Sequence, residues 1–317
     1  MFHKLRSKRV LLMGGLGNQL FQYAYAIRLS RTTSSKILLN PNFATVRKDD
    51  SGNPEISKYI LNTCTDLEMS TYTPKIIRKV VGTGLRLSNL KSNPLSSAYS
   101  KFFSLASSLL LSFHFCEFIK VYLSQDTGYW YSKREKRSSF HVGYFQSFRY
   151  SDYKEDFDVL RKITPRNINP EKDFYANLAK TESPLVVHVR LADYRVENNF
   201  GIPSKDYYQS AIDFQFKEGD YKKIWLFSDE PEAALEFIPQ GFLGLVRNIS
   251  QELIDPIWSL EAMRLGSGYV IANSTFSWWG AYLSHQEDPL VIYPQPWFQG
   301  MPDPIELCPP TWKPFPR

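Results

Sequence analysis

The sequence predicts an α/β protein made of two Rossmann-like domains. Three observations carry this. Short apolar runs recur, each followed by turn residues. A helix-compatible stretch comes after most of those turns, and the strand–turn–helix–strand order is found in both halves. A length of 317 residues suits two domains of ordinary size, each able to bury a core. Apolar content of 43% with charged content of 22% places the chain among globular proteins.

The first half opens with an apolar strand over 9–13. Gly14-Gly15-Leu16-Gly17-Asn18 then makes a tight turn, followed by a helix over 19–30 and a strand over 36–40. Residues 41–130 alternate polar loops with a helix expected over 102–123. A helix over 152–161 and a linker over 164–170 lead out of a first domain of residues 1–165. The second domain, 166–294, has strands expected at 185–189, 224–227, 268–272 and 290–293. Its helices are expected near 205–216, 231–237, 253–265 and 276–283. Nine of the 20 prolines lie from Pro289 onward, so the tail 295–317 is no regular helix and is expected to wrap the surface. Two such domains imply a cleft between them, the usual place for a ligand.

Composition narrows the partners. Cys64, Cys116 and Cys308 are too few and too scattered for a disulfide framework or a zinc site. The N-terminus lacks the apolar core of a signal peptide, and no run is long enough to span a membrane. A cytoplasmic location is expected. Between residues 70 and 124, seven basic residues face Glu117 alone, beside the apolar run at 102–115. Such a segment fits peripheral contact with an anionic membrane, or equally a buried helix with solvated flanks. No nucleic-acid motif accompanies the charge.

The chemistry concentrates at strand ends. Asn273-Ser274-Thr275-Phe276 follows an apolar strand and opens an aromatic helix-compatible run. Hydroxyls and N–H groups at a helix N-terminus make a phosphate seat, although a plain capped helix with a core Trp pair reads the same way. His188-Val189-Arg190 ends another strand, with His188 and Arg190 on one face. A guanidinium forks onto phosphate oxygens as no other side chain does. Asp193 fits a base, an Arg190 partner or a ligand for an acceptor hydroxyl. Ser228 and Asp229 follow a third strand end, and Asp229 fits a ribose or base contact. No carboxylate or histidine cluster shows metal-ligand spacing.

These segments, together with 14–24 and Gly143-Tyr144-Phe145-Gln146-Ser147-Phe148-Arg149-Tyr150, resemble glycosyltransferase family 11, the α-1,2-fucosyltransferases. The resemblance runs from about residue 10 to about residue 294 and is least specific over 45–140. It implies a fold of GT-B type, with the two domains facing a cleft. It implies inverting, metal-independent transfer of L-fucose from GDP-fucose to the 2-hydroxyl of a galactoside, in oligosaccharide or surface-polysaccharide synthesis. GDP-fucose is then the donor substrate, with no further cofactor, and a galactose-containing oligosaccharide or lipid-linked sugar is the acceptor. Arg190, Asp193 and Asn18 would be catalytic. His188, Gly15, Gly17, Gln19, Ser228, Asp229, Glu261, Asn273, Ser274, Thr275 and Phe276 would bind substrate. The family motif His-x-Arg-Arg-Gly-Asp departs here at Leu191 and Ala192, so Arg190 supplies the cation alone or with Arg195. That departure keeps another sugar nucleotide or linkage in view. A nicotinamide-dependent oxidoreductase is the rival of another class, weakened by the incomplete glycine fingerprint.

Overall fold

Val-, Ile- and Leu-rich runs buried on both faces favour parallel strands covered by helices. The computed structural model shows two such sheets. It describes residues 7–41, 46–49, 51–61, 65–67, 120–124, 126–131, 133, 135–167, 172–197 and 199–317. The strands are β1 (Lys8–Leu11), β2 (Ile37–Asn40), β3 (Tyr59–Ile60), β4 (Thr65–Leu67), β5 (Val121–Leu123), β6 (Phe140–Val142) and β7 (Thr164–Pro165). They continue with β8 (Leu185–Val189), β9 (Ile224–Ser228), β10 (Val246–Asn248), β11 (Gly268–Val270), β12 (Leu290–Gln295) and β13 (Lys313–Pro316). The helices used below are α1 (Leu16–Thr33), α2 (Lys154–Arg161), α3 (Lys172–Glu182), α4 (Lys205–Glu218), α5 (Pro256–Met263) and α6 (Thr275–Tyr282).

The chain divides into two units. The first comprises Met1–Ser57, Leu61–Phe145 and Tyr150–Asp156. Its parallel sheet has the order β4-β2-β1-β6-β5. Helix α1 is buried on nearly every side, including Leu20, Phe21, Tyr23 and Tyr25. Tyr25 stacks on Phe145 with ring centroids 3.8 Å apart and donates or accepts a 2.7 Å bond with His141 Nδ1.

The second unit comprises Lys58–Ile60, Gln146–Arg149 and Phe157–Arg317. Its parallel sheet runs β10-β9-β8-β11-β12-β13. The chain leaves β8 toward β9 and β10, then returns to β11 on the other side of β8. The strand order therefore reverses between β8 and β11. Carboxyl ends of strands at such a reversal are where α/β sheets place ligands. Helix α4 ties those ends down with buried polar groups. Tyr207 donates to the Ile271 carbonyl at 2.7 Å, and Tyr208 donates to the His188 carbonyl at 3.0 Å.

Two parallel α/β units are the architecture the sequence predicts, with several local corrections. Most of the helix expected over 102–123 lies outside the described residues, as do Cys64 and Cys116, but its last residues form β5. Val121-Tyr122-Leu123 is a β-favouring triplet whose partner, β6, sits nineteen residues away, beyond a helix-period window. The expected linker contains β7, which pairs antiparallel with β3. The expected surface tail contributes β13 to the main sheet and buries Trp297, Phe298, Leu307 and Trp312. Prolines are tolerated there because β13 is an edge strand.

Candidate active site

Arg190 follows β8 directly, where the buried run Leu185–Val189 ends and the backbone emerges. Its Nε donates to Asp193 Oδ1 at 2.9 Å and lies 3.1 Å from Asp229 Oδ2. Neither terminal nitrogen of the guanidinium donates a hydrogen bond among the described residues. Two carboxylates thus hold the base of the fork and leave its tines open. Burial opposes the charge, but the Asp193 and Asp229 carboxylates outweigh it and keep the guanidinium above its usual pKa. The Arg190 side chain is 24% exposed, so the fork is reachable.

Asp229 sits just past β9. Its Oδ1 accepts from Leu191 N–H at 2.9 Å and its Oδ2 from Ala192 N–H at 3.1 Å. Both oxygens accept from the backbone that follows Arg190, so Asp229 shapes the Arg190 loop. Leu191, where the family has its second arginine, is fully buried in the core of this unit. Arg195 is engaged by Glu230 at 2.8 Å on the surface. Arg190 is therefore the cation of this loop that keeps an open fork.

The loop after β11 supplies the helix end. Ser274 caps α6, accepting from Phe276 N–H at 3.3 Å, which organises the first turn. Asn273 is 1% exposed and donates to the carbonyls of Phe200 and Gly201 at 3.1 and 3.2 Å. Its Oδ1 is buried without a partner. Tyr194 closes the arrangement from the β8 loop. Its hydroxyl donates to the Asn273 carbonyl at 3.0 Å, and its ring centroid lies 5.9 Å from the Arg190 guanidinium carbon. Tyr194 directly follows the six motif positions 188–193, yet nothing in its type alone signals this role.

His188 lies on β8, 3% exposed, with its ring 6.2 Å from Phe276. Burial, reinforced by the Arg190 charge, pushes its pKa down to about 3, so the ring is neutral at ordinary pH. Its Nδ1 has no partner. A buried polar atom without a partner costs free energy, so His188 Nδ1 and Asn273 Oδ1 are orphans that a polar ligand would satisfy. Ser228 instead works locally, with its Oγ accepting from Glu230 N–H at 3.0 Å.

Glu261 is engaged elsewhere. On α5 it accepts from Arg264 with both oxygens at 3.0 Å and from the Tyr59 hydroxyl at 3.1 Å. The Arg264 side chain is only 4% exposed, and a buried cation needs that counter-charge. Both carboxylate oxygens are used in compensating it.

In the first unit, the glycine turn is built around its own contacts. Gly14, with φ of +69°, is the position that demands glycine, since a Cβ there would meet Asn18 Nδ2 at 2.4 Å. Gly15 is the N-cap of α1 in extended conformation, and Gly17 is buried inside the first turn. Gln19 is fully buried. It donates to the carbonyls of Gly14 and Arg47 at 2.9 and 3.0 Å and accepts from Ile56 N–H at 2.9 Å. It stitches the turn and has no surface to offer a substrate. Glu55, which sequence reasoning missed, accepts from Leu16 N–H at 2.6 Å. Its carboxylate already occupies the N-terminus of α1, the place a phosphate would take in a dinucleotide fold.

The model of Glycosyl transferase family 11 matches residues 113–298, more than half of the chain. The chain belongs to glycosyl transferase family 11. It is 27% identical over 319 aligned positions to an alpha-1,2-colitosyltransferase of Escherichia coli, covering 95% of this chain and 96% of that protein. It is 28% identical to the O-antigen biosynthesis glycosyltransferase WbnK of Escherichia coli, covering 91% of this chain and 94% of that one. Among solved structures it is similar to the fucosyltransferase NodZ from Bradyrhizobium, with 11% identity, 89% and 94% coverage and a TM-score of 0.44. Membership removes the oxidoreductase alternative: the protein is a glycosyltransferase.

Proposed function

We propose that this family 11 enzyme transfers L-fucose from GDP-fucose to the 2-hydroxyl of a galactoside, with inversion and without a metal, during oligosaccharide or surface-polysaccharide synthesis. The open fork of Arg190 at the reversal between β8 and β11 carries the reading. In the transfer, negative charge grows on the leaving diphosphate as the bond to the sugar carbon breaks. The two terminal nitrogens of Arg190 meet that charge in a bidentate arrangement, and the capped N-terminus of α6 adds its N–H groups and dipole. His188 and Asn273, with their orphaned atoms, bind the nucleotide part. Asp193 holds Arg190 with one oxygen, and its second oxygen orients the acceptor hydroxyl. The names of the two Escherichia coli relatives support an α-1,2 linkage and a surface-polysaccharide setting.

A second reading is transfer of a colitosyl group by the same chemistry. The name of one relative favours it, and the departure from the family motif at Leu191 leaves another donor open. Purified enzyme assayed with a panel of nucleotide sugars, followed by NMR of the product linkage, separates the two. Turnover of GDP-fucose to an α-1,2-fucosyl galactoside supports the first reading. Turnover of another donor alone refutes it.

Among the described residues, no helix is long and apolar enough to cross a membrane, and no group of His, Cys, Asp or Glu could hold a metal ion. The basic segment over 70–124 lies almost wholly outside the described residues. We retain for it the peripheral contact with an anionic membrane that its charge suggests, on the cytoplasmic face where a lipid-linked acceptor would be presented.

A further inference from the structure

The loop that carries Tyr194 joins β8 to α4. Residues 193–197 and 199–201 make one short 3₁₀ turn and close locally on themselves, with Glu197 N–H on the Asp193 carbonyl at 3.2 Å and Phe200 N–H on the Glu197 carbonyl at 3.1 Å. A second set of contacts comes from residues 295–317. Arg317 follows β13, and its N–H bonds to the Gln295 carbonyl at 3.2 Å, so its position is fixed by the sheet edge. From there the guanidinium reaches back, with Nη1 donating to the Trp297 carbonyl at 2.9 Å and Nη2 to the Phe200 carbonyl at 2.6 Å. The same Phe200 carbonyl accepts from Asn273 Nδ2. One carbonyl thus joins the tail to the residue that precedes the α6 cap.

Further contacts repeat the connection. Phe200 stacks on Phe298 at 5.5 Å, and Tyr194 packs on Phe200 at 5.2 Å. The N–H groups of Gln299 and Gly300 both donate to the Asn199 carbonyl, at 3.1 and 3.0 Å. Gly201 has φ of +63°, and a Cβ there would meet Gln299 Oε1 at 2.1 Å and Arg317 Nη2 at 2.6 Å, so the tail is in direct contact with the loop backbone. Arg317 has no carboxylate partner among the described residues. Burial lowers its pKa, the nearby Tyr208 and Asp303 partly oppose that shift, and the carbonyls it donates to help offset the cost of holding the charge. A cation kept half-buried on carbonyls, rather than on an acid, is a geometric clamp more than an ion pair.

We propose that Arg317 is a positioning residue of the donor site. It clamps the Phe200 carbonyl, and through it fixes Asn273 and Tyr194 beside Arg190. This rests on the donor reading above for what the site binds, but the clamp itself does not. The substitutions are Arg317→Ala, Arg317→Lys and, from the other side of the clamp, Gly201→Ala.

Amide hydrogen exchange in the free full-length protein reads the clamp directly. Arg317→Ala is expected to speed exchange at least about tenfold in 193–201 and 273–275, with β8 and β9 unchanged, as local opening predicts. Arg317→Lys, which keeps the charge on a single donor nitrogen, is expected to fall between. Calorimetry with GDP is expected to show about tenfold weaker binding by Arg317→Ala and a partial return in Arg317→Lys. If Arg317→Ala does not fold, Gly201→Ala is expected to give the same exchange pattern. Unchanged exchange at 193–201, or a uniform rise throughout the second unit, overturns the proposal. If the wild type does not bind GDP, the donor reading fails, while the exchange pattern still decides the clamp.

Discussion

Asp229→Asn isolates the step between loop geometry and catalysis. In the wild type, the two oxygens accept the N–H groups of Leu191 and Ala192 at 2.9 and 3.1 Å, and one lies 3.1 Å from Arg190 Nε. Asparagine keeps the shape and one acceptor oxygen. It turns an NH₂ group toward the second backbone N–H, so two donors face each other, and it removes a charge beside the guanidinium. A mismatched donor of this kind costs about 1–3 kcal/mol. Losing the charge 3.1 Å from Arg190 Nε adds to that, and water at the 17% exposed side chain relieves part, so about 1.5–3 kcal/mol remains to displace the loop. Expressed as lost transition-state stabilisation, this is roughly 10- to 100-fold in kcat/KM for the donor. The assay is initial-rate kinetics with varied GDP-fucose, paired with a thermal melt to confirm folding. Asp193→Asn serves as the contrast, since its side chain is 51% exposed and it bonds no loop N–H. Asp193→Asn is expected to shift acceptor KM more than donor KM. An Asp229→Asn enzyme within twofold of wild type in donor kcat/KM would refute the reasoning.

Other consequences follow from the same structure. His141 and His188 are both buried with pKa values pushed down to about 3, so the unfolded chain takes up protons that the native state refuses. Their stabilising effect is full above about pH 6.5 and is lost as pH falls, by up to about 2 kcal/mol each at pH 5. Urea midpoints at pH 7.5 and pH 5 should show this drop, and a flat profile contradicts it. Because Arg190 and the α6 N-terminus meet the diphosphate charge, turnover should persist in excess EDTA. Loss that Mn²⁺ or Mg²⁺ restores would show a metal in that role. Binding to anionic vesicles should weaken steeply with salt and on Lys75→Glu with Lys79→Glu, since the attraction fades within a Debye length of about 10 Å at 0.1 M salt. Equal sedimentation with neutral and anionic vesicles removes the membrane contact.

The legible part of this protein was its periodic part. Buried runs such as Leu185–Val189 and Ile224–Ser228 announce themselves as strands, because parallel strands covered on both faces are continuously apolar. The places of Arg190 at the end of β8 and of Ser274 at the start of α6 were legible as well, since each follows an apolar run directly. Less legible was the division of labour among acids. Asp229 and Glu261 both read as substrate ligands, but one binds backbone N–H groups and the other neutralises Arg264, and neither partner is a sequence neighbour. Short strands such as β7 and β13, which depend on distant partners and contain proline, carry no local periodicity. Arg317 could not be read at all, because its meaning lies in a carbonyl more than one hundred residues away.

The central claim is that the open fork of Arg190 binds the diphosphate. Calorimetry of GDP and of guanosine with wild type and Arg190→Lys tests it most directly. Lysine keeps a positive charge but loses the planar fork. The account predicts that Arg190→Lys weakens GDP binding by about 1.5–3 kcal/mol, or roughly 10- to 100-fold, the worth of hydrogen bonds to a charged group. Guanosine, which has no phosphate, should bind both proteins alike. Equal GDP affinity in the two proteins, or an equal loss for GDP and guanosine, would contradict the claim.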